Sequence, residues 1–221
     1  CTYNRQSFLD QLFSGLLNQS LEKDKYEVLV IDNNSSDQTK AVCDHWISGH
    51  PELHMRYVLE VRQGLSHARN RGIKESRGTL LAFIDDDAHT PPDFLWKLYE
   101  FFMEHPEIDG AGGRIVLKFE GLRPAWLNKY VDSLLGHFDL GDQQRPFRKG
   151  EYPRGSNMCF RKEVFARTGG FDTGLGRTGS QMLGGEEKEF FIRFRQKHDC
   201  IFHYEIVAEK DRKSRRGRNQ F

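Results

Sequence analysis

The sequence predicts an α/β fold with a mostly parallel central sheet flanked by helices. Three observations carry that expectation. Short apolar runs alternate with stretches of helical periodicity along the chain. The run Thr79 to Ile84, T-L-L-A-F-I, is nearly continuous in apolar residues, as in strands covered by helices on both faces. Two of the runs stop at acidic turns, Asp32 to Asp37 and Asp85 to Asp87, where the strand ends of open α/β sheets meet ligands.

Taken in order, Ser7 to Gln19 carries Phe8, Leu9, Leu12, Phe13, Leu16 and Leu17 at helical spacing. Glu27 to Ile31 is the first strong strand, bounded by a polar turn cluster. Gln38 to Ser48 reads as a helix, with Ala41, Val42 and Trp46 on one stripe. Met55 to Leu59 is a strand and Ser66 to Ser76 a helix. Thr79 to Ile84 follows as a strand buried on both faces. Pro92 to His105 is a helix with proline at its start, where a missing N–H costs nothing. Ala111 to Phe119 is a strand, Gly121 to Gly150 a mixture of helix and loop, and Phe160 to Arg167 a short helix. Gly169 to Gly185 holds seven glycines in 17 residues and reads as a mobile lid. Glu186 to Lys197 returns to helical spacing.

The 221 residues suit one domain with a sizeable core, 37% hydrophobic and 29% charged, which excludes disorder. The domain divides into a nucleotide-binding half, about residues 1–118, and an acceptor-binding half, about 119–221. No apolar run approaches a membrane span, and no signal peptide opens the chain. Cys1, Cys43, Cys159 and Cys200 are far apart and lack zinc spacing. They read as reduced, packed thiols of a cytoplasmic protein.

Candidate chemistry begins at Asp85-Asp86-Asp87. Three successive carboxylates repel one another, and a hard divalent ion with substrate phosphates is one remedy; a solvated acidic turn is the other reading. Asp32 lies at a second strand end, suited to a base or ribose hydroxyl, with Ser35 to Asp37 available as helix caps. In Gly64-Leu65-Ser66-His67-Ala68-Arg69-Asn70-Arg71-Gly72, Gly64 permits close backbone approach and Ser66 can cap the helix. Arg69 and Arg71 put cations near a helix start, a natural phosphate site or simply a basic face. Gly184-Gly185-Glu186-Glu187 sets acids at a loop-to-helix junction. That placement suits the helix dipole, and it also suits a general base for a hydroxyl nucleophile.

The ordered set resembles the family-two inverting glycosyltransferases, of bacterial type, with a GT-A fold. The likeness runs from residue 2 to about residue 209. Thr2-Tyr3-Asn4-Arg5 resembles the first nucleotide-contact motif, and Val30 to Asp37 the second. Gly64-Leu65-Ser66-x-Ala68-Arg69-Asn70-x-Gly72 resembles the third, and Phe83 to Asp87 the D-x-D region. Gly155-Ser156-Asn157, Gly170-Phe171-Asp172 and Gly185-Glu186-Glu187 resemble the later motifs.

The resemblance implies roles. Thr2, Tyr3 and Asp32 contact the base, with Arg5, Gly64 and Arg69 near the nucleotide. Asp85 and Asp86 hold ribose or sugar, and Asp87 ligates Mg²⁺ or Mn²⁺ on the diphosphate. Gly155, Asn157, Phe171 and Asp172 fall on the acceptor side. Glu187 stands where relatives often have an Asp base, with Glu186 beside it. The implied partners are a nucleotide-sugar donor and a carbohydrate or lipid-linked acceptor, as in polysaccharide biosynthesis. Two features depart from the pattern. Relatives carry an apolar central strand before the first motif, whereas this sequence opens at Cys1. A His often follows the last strand in relatives; here the stretch reads Val207-Ala208-Glu209-Lys210, His203 lies too early, and a metal or phosphate contact is either missing or supplied by Glu209. A nucleotidyltransferase and a non-catalytic nucleotide-sugar-binding module are the alternatives.

The end of the chain is basic, with Lys210, Arg212, Lys213, Arg215, Arg216 and Arg218 close together. This run reads either as a solvated end or as peripheral contact with an anionic membrane at its inner face. Nucleic acid is not expected, because no aromatics interleave the basic residues.

Overall fold

The computed structural model describes residues 1–119, 122–123, 127–141, 143–178, 184–197, 202–204 and 208–212. Strands β1 (Val28–Asp32) and β2 (Met55–Leu59) pair in parallel. Helix α1 (Gln6–Leu17) precedes them, and α2 (Thr39–Gly49) joins them. Leu9, Phe13 and Leu16 recur at i, i+4 and i+7 on α1, so one stripe is buried against Val28, Val30, Cys43 and Met55. Helix α3 (Leu65–Glu75) leads into β3 (Leu80–Phe83). The two-residue β4 (Ala88–His89) and helix α4 (Phe94–Glu104) follow.

The predicted strand 111–119 is in fact two, β5 (Gly110–Gly112) and β6 (Ile115–Phe119), in different sheets. Gly113 and Arg114 make the break between them. Helix α5 (Lys129–Leu134) is the helical part of the 121–150 region. The expected helix 160–167 is corrected to strand β7 (Met158–Arg161) followed by α6 (Glu163–Thr168). Its four residues are held by antiparallel pairing to β3 on one side and β5 on the other. Helix α7 (Glu186–Lys197) matches its expected bounds. Strands β8 (Phe202–Tyr204) and β9 (Ala208–Arg212) complete the described chain.

The sheet is mixed. β5–β8 and β6–β9 are parallel like β1–β2, while β7 runs against its neighbours and β4 runs against β9. Strand β9 takes Lys210 and Arg212 out of the expected solvated tail and into a ladder with β6. The remainder of the basic run, residues 213–218, lies outside the described residues, as do Cys200 and residues 179–183 of the glycine-rich stretch.

β1 and β3 belong to separate sheets, and a cavity of about 380 Å³ lies between them. Leu9, Leu12, Phe13 and Leu16 wall it from α1, and Leu95 and Leu98 from α4. This explains why β3, expected to be covered on both faces, is only partly buried: one of its edges lines the cavity. At the far side, Phe160, Phe165, Phe171, Phe190 and Phe194 form an aromatic core that fixes α6 and α7 against β7. Phe171 and Phe190 meet with ring centroids 4.9 Å apart.

Gly112 shows how closely β5 approaches the loop before β7. A Cβ there would collide with Pro153 and come within 2.8 Å of the Asn157 carbonyl oxygen. Gly112→Ala is therefore expected to destabilise the protein by about 1–3 kcal/mol, as overpacking does. Urea unfolding checks this; a midpoint equal to that of the parent protein would contradict the packing described.

Candidate active site

Where β1 and β3 end, polar side chains tie the loops together. Thr2 sits beside β1, its N–H donating to the Ile31 carbonyl at 2.9 Å and its carbonyl accepting from Asn33 N–H at 2.9 Å. Asn4 adopts a left-handed backbone, φ 52°, which Asn tolerates better than most residues. Its N–H donates to Ser35 Oγ at 2.9 Å, and its Oδ1 accepts from Ser36 N–H at 2.7 Å. Asp37 serves both flanking helices as expected of a cap, accepting from Gln6 N–H at 3.1 Å and Thr39 N–H at 3.0 Å. Tyr3 stays exposed at the surface of this assembly.

Asp32 and Asn33 are buried and committed to the fold. Asp32 Oδ1 accepts from Ser35 N–H at 2.9 Å, and Oδ2 from the Tyr57 hydroxyl at 2.7 Å. Burial and the adjacent Asp32 carboxylate push the Tyr57 phenol well above its ordinary value. Asn33 donates to the carbonyls of Glu60 and Arg62, and its Oδ1 accepts from Gly64 N–H at 2.8 Å. In the same loop, hydrogen bonding from Arg62 holds the Glu60 carboxyl down at about 2. Gly64 has φ 138°, a conformation that side chains rarely adopt. Ser66 does not cap α3; its hydroxyl donates to the Leu175 carbonyl at 2.8 Å, while Leu65 N–H donates to the Arg177 carbonyl. The glycine-rich stretch is thus anchored on α3 at residues 175–177.

The carboxylate turn follows β3. Arg5 Nε lies 3.3 Å from Asp86 Oδ1, and its Nη2 donates to Asp87 Oδ2 at 2.8 Å. The Arg5 guanidinium also rests 4.3 Å from the Phe8 ring centroid. Burial raises the Asp86 carboxyl, with repulsion from Asp85 adding to it and Arg5 opposing it. Among the described residues, no group of three or more His, Cys, Asp or Glu side chains converges on a metal-holding point. The donor set offered here is carboxylate oxygen alone. It fits a hard divalent ion that takes one or two protein ligands and completes its shell from phosphate and water. Glu209 lies opposite His89 in the β4–β9 ladder, and His89 is two residues beyond Asp87.

Arg69 and the α7 acids form the second half of the site. Arg69 Nη1 donates to Glu186 Oε1 at 3.0 Å, and Nη2 to Glu187 Oε1 at 2.8 Å. Its guanidinium lies 5.3 Å from the Phe171 ring centroid. Although burial works against the charge, Glu187, Asp85 and Glu186 raise the Arg69 guanidinium above its ordinary value. Arg69, Asp85, Asp86 and Gly155 line the same cavity, and Arg69 also pairs with Glu186 and Glu187. Arg71 takes no part, being paired with Glu75 one turn along α3 at 3.1 Å.

The four residues expected on the acceptor side have diverse surroundings. Phe171 is in the aromatic core, and Asn157 is buried with its Nδ2 donating to the Arg114 carbonyl at 3.1 Å. Gly155 abuts Arg69 and Glu187. Asp172 is exposed, its Oδ1 accepting from Gly174 N–H at 2.8 Å. Sequence reasoning gave no role to Asn33, Asn70 or Tyr57. Asn70 Nδ2 donates to the Phe171 carbonyl, and its Oδ1 accepts from Phe171 N–H, both at 2.8 Å. An Asn directly after Arg69 inside a glycine-bounded motif was the available signal for it. Cys43 and Cys159 are free, buried thiols pushed up by burial to about 12, outside any nucleophilic role.

An α/β sheet with two acidic strand ends, a glycine-led helix and a carboxylate pair at the head of α7 defines the GT-A class of glycosyltransferase domain. The chain belongs to glycosyl transferase family 2, whose family model matches residues 1–169. A glucosyl-dolichyl phosphate glucuronosyltransferase of Haloferax volcanii is 26% identical over 195 residues, which are 87% of this chain and 61% of that protein. A dolichol-phosphate mannosyltransferase of Pyrococcus furiosus is 35% identical over 115 residues, covering 52% of this chain and 32% of the other. Among solved structures, a Pyrobaculum calidifontis mannosyltransferase in complex with GDP-Man and Mn²⁺ superposes with a TM-score of 0.69 at 22% identity. That match covers 98% of this chain and 56% of the mannosyltransferase. The chain thus spans less than two thirds of the length of these relatives.

Proposed function

We propose that this domain transfers a sugar from a nucleoside diphosphate sugar to an acceptor hydroxyl, with inversion at the anomeric carbon. The observation that carries this reading is the convergence at Arg69: it pairs with the α7 acids of the acceptor half and senses the charge of Asp85 in the carboxylate turn of the nucleotide half. Tyr3, exposed above the Asn4–Ser35 loop pair, is the side chain available to meet the base. The hydrogen bonds that Asp32 accepts from Tyr57 and Ser35 orient its carboxylate and support a role in shaping that loop. Asp85 and Asp86 take ribose or sugar hydroxyls. Asp87 holds Mg²⁺ or Mn²⁺, and the chemistry such an ion supplies when bound is neutralisation of charge on the diphosphate. Glu187, the more accessible of the two α7 acids, removes the proton of the attacking hydroxyl.

The domain is read as a donor half, about residues 1–118, and an acceptor half, about 119–221. The names of the relatives support a lipid-linked acceptor, and hence peripheral membrane contact, to which the basic residues at 210–218 would contribute. Among the described residues no helix is long and apolar enough to cross a membrane. The test is a panel of nucleotide sugars with Mn²⁺ or Mg²⁺, read by thermal shift and by the phosphorus product released. Nucleoside diphosphate release supports sugar transfer. Nucleoside triphosphate and sugar 1-phosphate formed only when pyrophosphate is added would assign a nucleotidyltransferase, and binding without turnover a non-catalytic module.

A further inference from the structure

Arg69 looks in the sequence like a ligand for the donor phosphates, but its surroundings serve another purpose. Its side chain is only 4% exposed, against 19% for Glu187 and 6% for Glu186. Successive residues on a helix point about 100° apart. Glu186 and Glu187 therefore turn to one point only if something lies between them. A guanidinium does this because its nitrogens form a rigid fork, which a lysine ammonium lacks. Nη1 takes Glu186 and Nη2 takes Glu187. The guanidinium is braced by the Phe171 ring, and Asn70 clamps the Phe171 backbone from both sides. The remaining space is closed by Gly155, where any Cβ would overlap both Arg69 Nη2 and Glu187 Oε1.

We propose that Arg69 is a positioning residue for the base: it anchors on buried Glu186 and aims the more exposed Glu187 carboxylate at the acceptor hydroxyl, with Gly155 keeping the space they need. This rests on the reading of Glu187 as the base. Arg69 acts through Glu187 and does not touch the donor. Glu186 is its fixed counter-charge, which explains why two adjacent acids are present when the reaction needs one.

The test measures kcat and donor KM, with nucleoside diphosphate affinity by calorimetry, in Arg69→Ala, Arg69→Lys, Gly155→Ala and Glu187→Gln. Misplacing a catalytic group by about 1 Å costs on the order of 10²-fold in rate. The Arg69 variants and Gly155→Ala are expected to lose about that factor in kcat, with donor KM and diphosphate affinity within about twofold of the parent. Methylguanidinium is expected to restore part of the turnover of Arg69→Ala, but none to Arg69→Ala/Glu187→Gln. Arg69→Lys, with no fork, recovers little. Gly155→Ala keeps all three charged groups, so the proposal stays open to refutation even where Arg69→Ala fails to fold. Loss of donor affinity with kcat retained in the Arg69 variants overturns the proposal and makes Arg69 a phosphate ligand. Inactive Glu187→Gln beside fully active Gly155→Ala and Arg69→Lys overturns positioning alone. A fully active Glu187→Gln overturns the reading of the base on which it rests.

Discussion

Glu187→Gln is expected to lower turnover by about 10²-fold or more while donor affinity barely changes. The substitution keeps size and shape and leaves an amide oxygen for Arg69 Nη2, so the packing around Gly155 and Phe171 is preserved. What it removes is the capacity to take a proton as the acceptor oxygen attacks. Glu186→Gln is the matched control. Its carboxylate is buried beside Arg69 and leaves little access for an acceptor, so a smaller loss is expected. Steady-state kinetics with calorimetric donor binding separates the two. If Glu186→Gln is the crippled variant and Glu187→Gln is not, the base is the other glutamate.

Asp87→Ala is expected to abolish the metal-dependent part of nucleotide binding and leave the fold intact. Asp87 closes the carboxylate turn and shares Arg5 with Asp86, so its removal leaves Arg5 an acidic partner. No described side chains nearby assemble a protein-only cage, so losing one carboxylate removes a large part of what the protein can offer a divalent ion. Calorimetry of nucleoside diphosphate binding with Mn²⁺, and again with chelator, checks this. The parent protein should lose affinity on chelation, whereas Asp87→Ala should bind weakly in both conditions. Parent affinity that ignores chelator would remove the metal from the mechanism altogether.

Much of the fold is legible in local pattern. Met55–Leu59 and Glu186–Lys197 match their expected bounds because turn residues and acids punctuate them directly. The failures have a common origin. Met158-Cys159-Phe160-Arg161 has no strand alternation, and only its position between β3 and β5 makes it a strand. The run Ala111 to Phe119 looks continuous, yet its two ends pair with different partners. Ser66 has the identity of a helix cap but finds the Leu175 carbonyl instead, 109 residues away.

The sequence by itself determined the main helices and strands from α1 to α4, the two acidic strand ends, the glycine-led start of α3 and the carboxylates at the head of α7. These follow from side-chain periodicity and turn chemistry, which act over a few residues. Only the tertiary structure decided which charge answers which. Arg69, in sequence a cation at a helix start, meets Glu186 and Glu187 across separations of 117 and 118 residues. Asp32, in sequence an open ligand for a base, is satisfied by Tyr57 and Ser35. Arg5, at the head of α1, lies beside Asp86 and Asp87 because α1 packs against β4, the strand that follows the carboxylate turn. Hydrogen bonds and ion pairs act through a few ångströms of space and have no dependence on distance along the chain. A carboxylate's type is therefore written in the sequence, but its occupation is set by whatever the fold brings within reach.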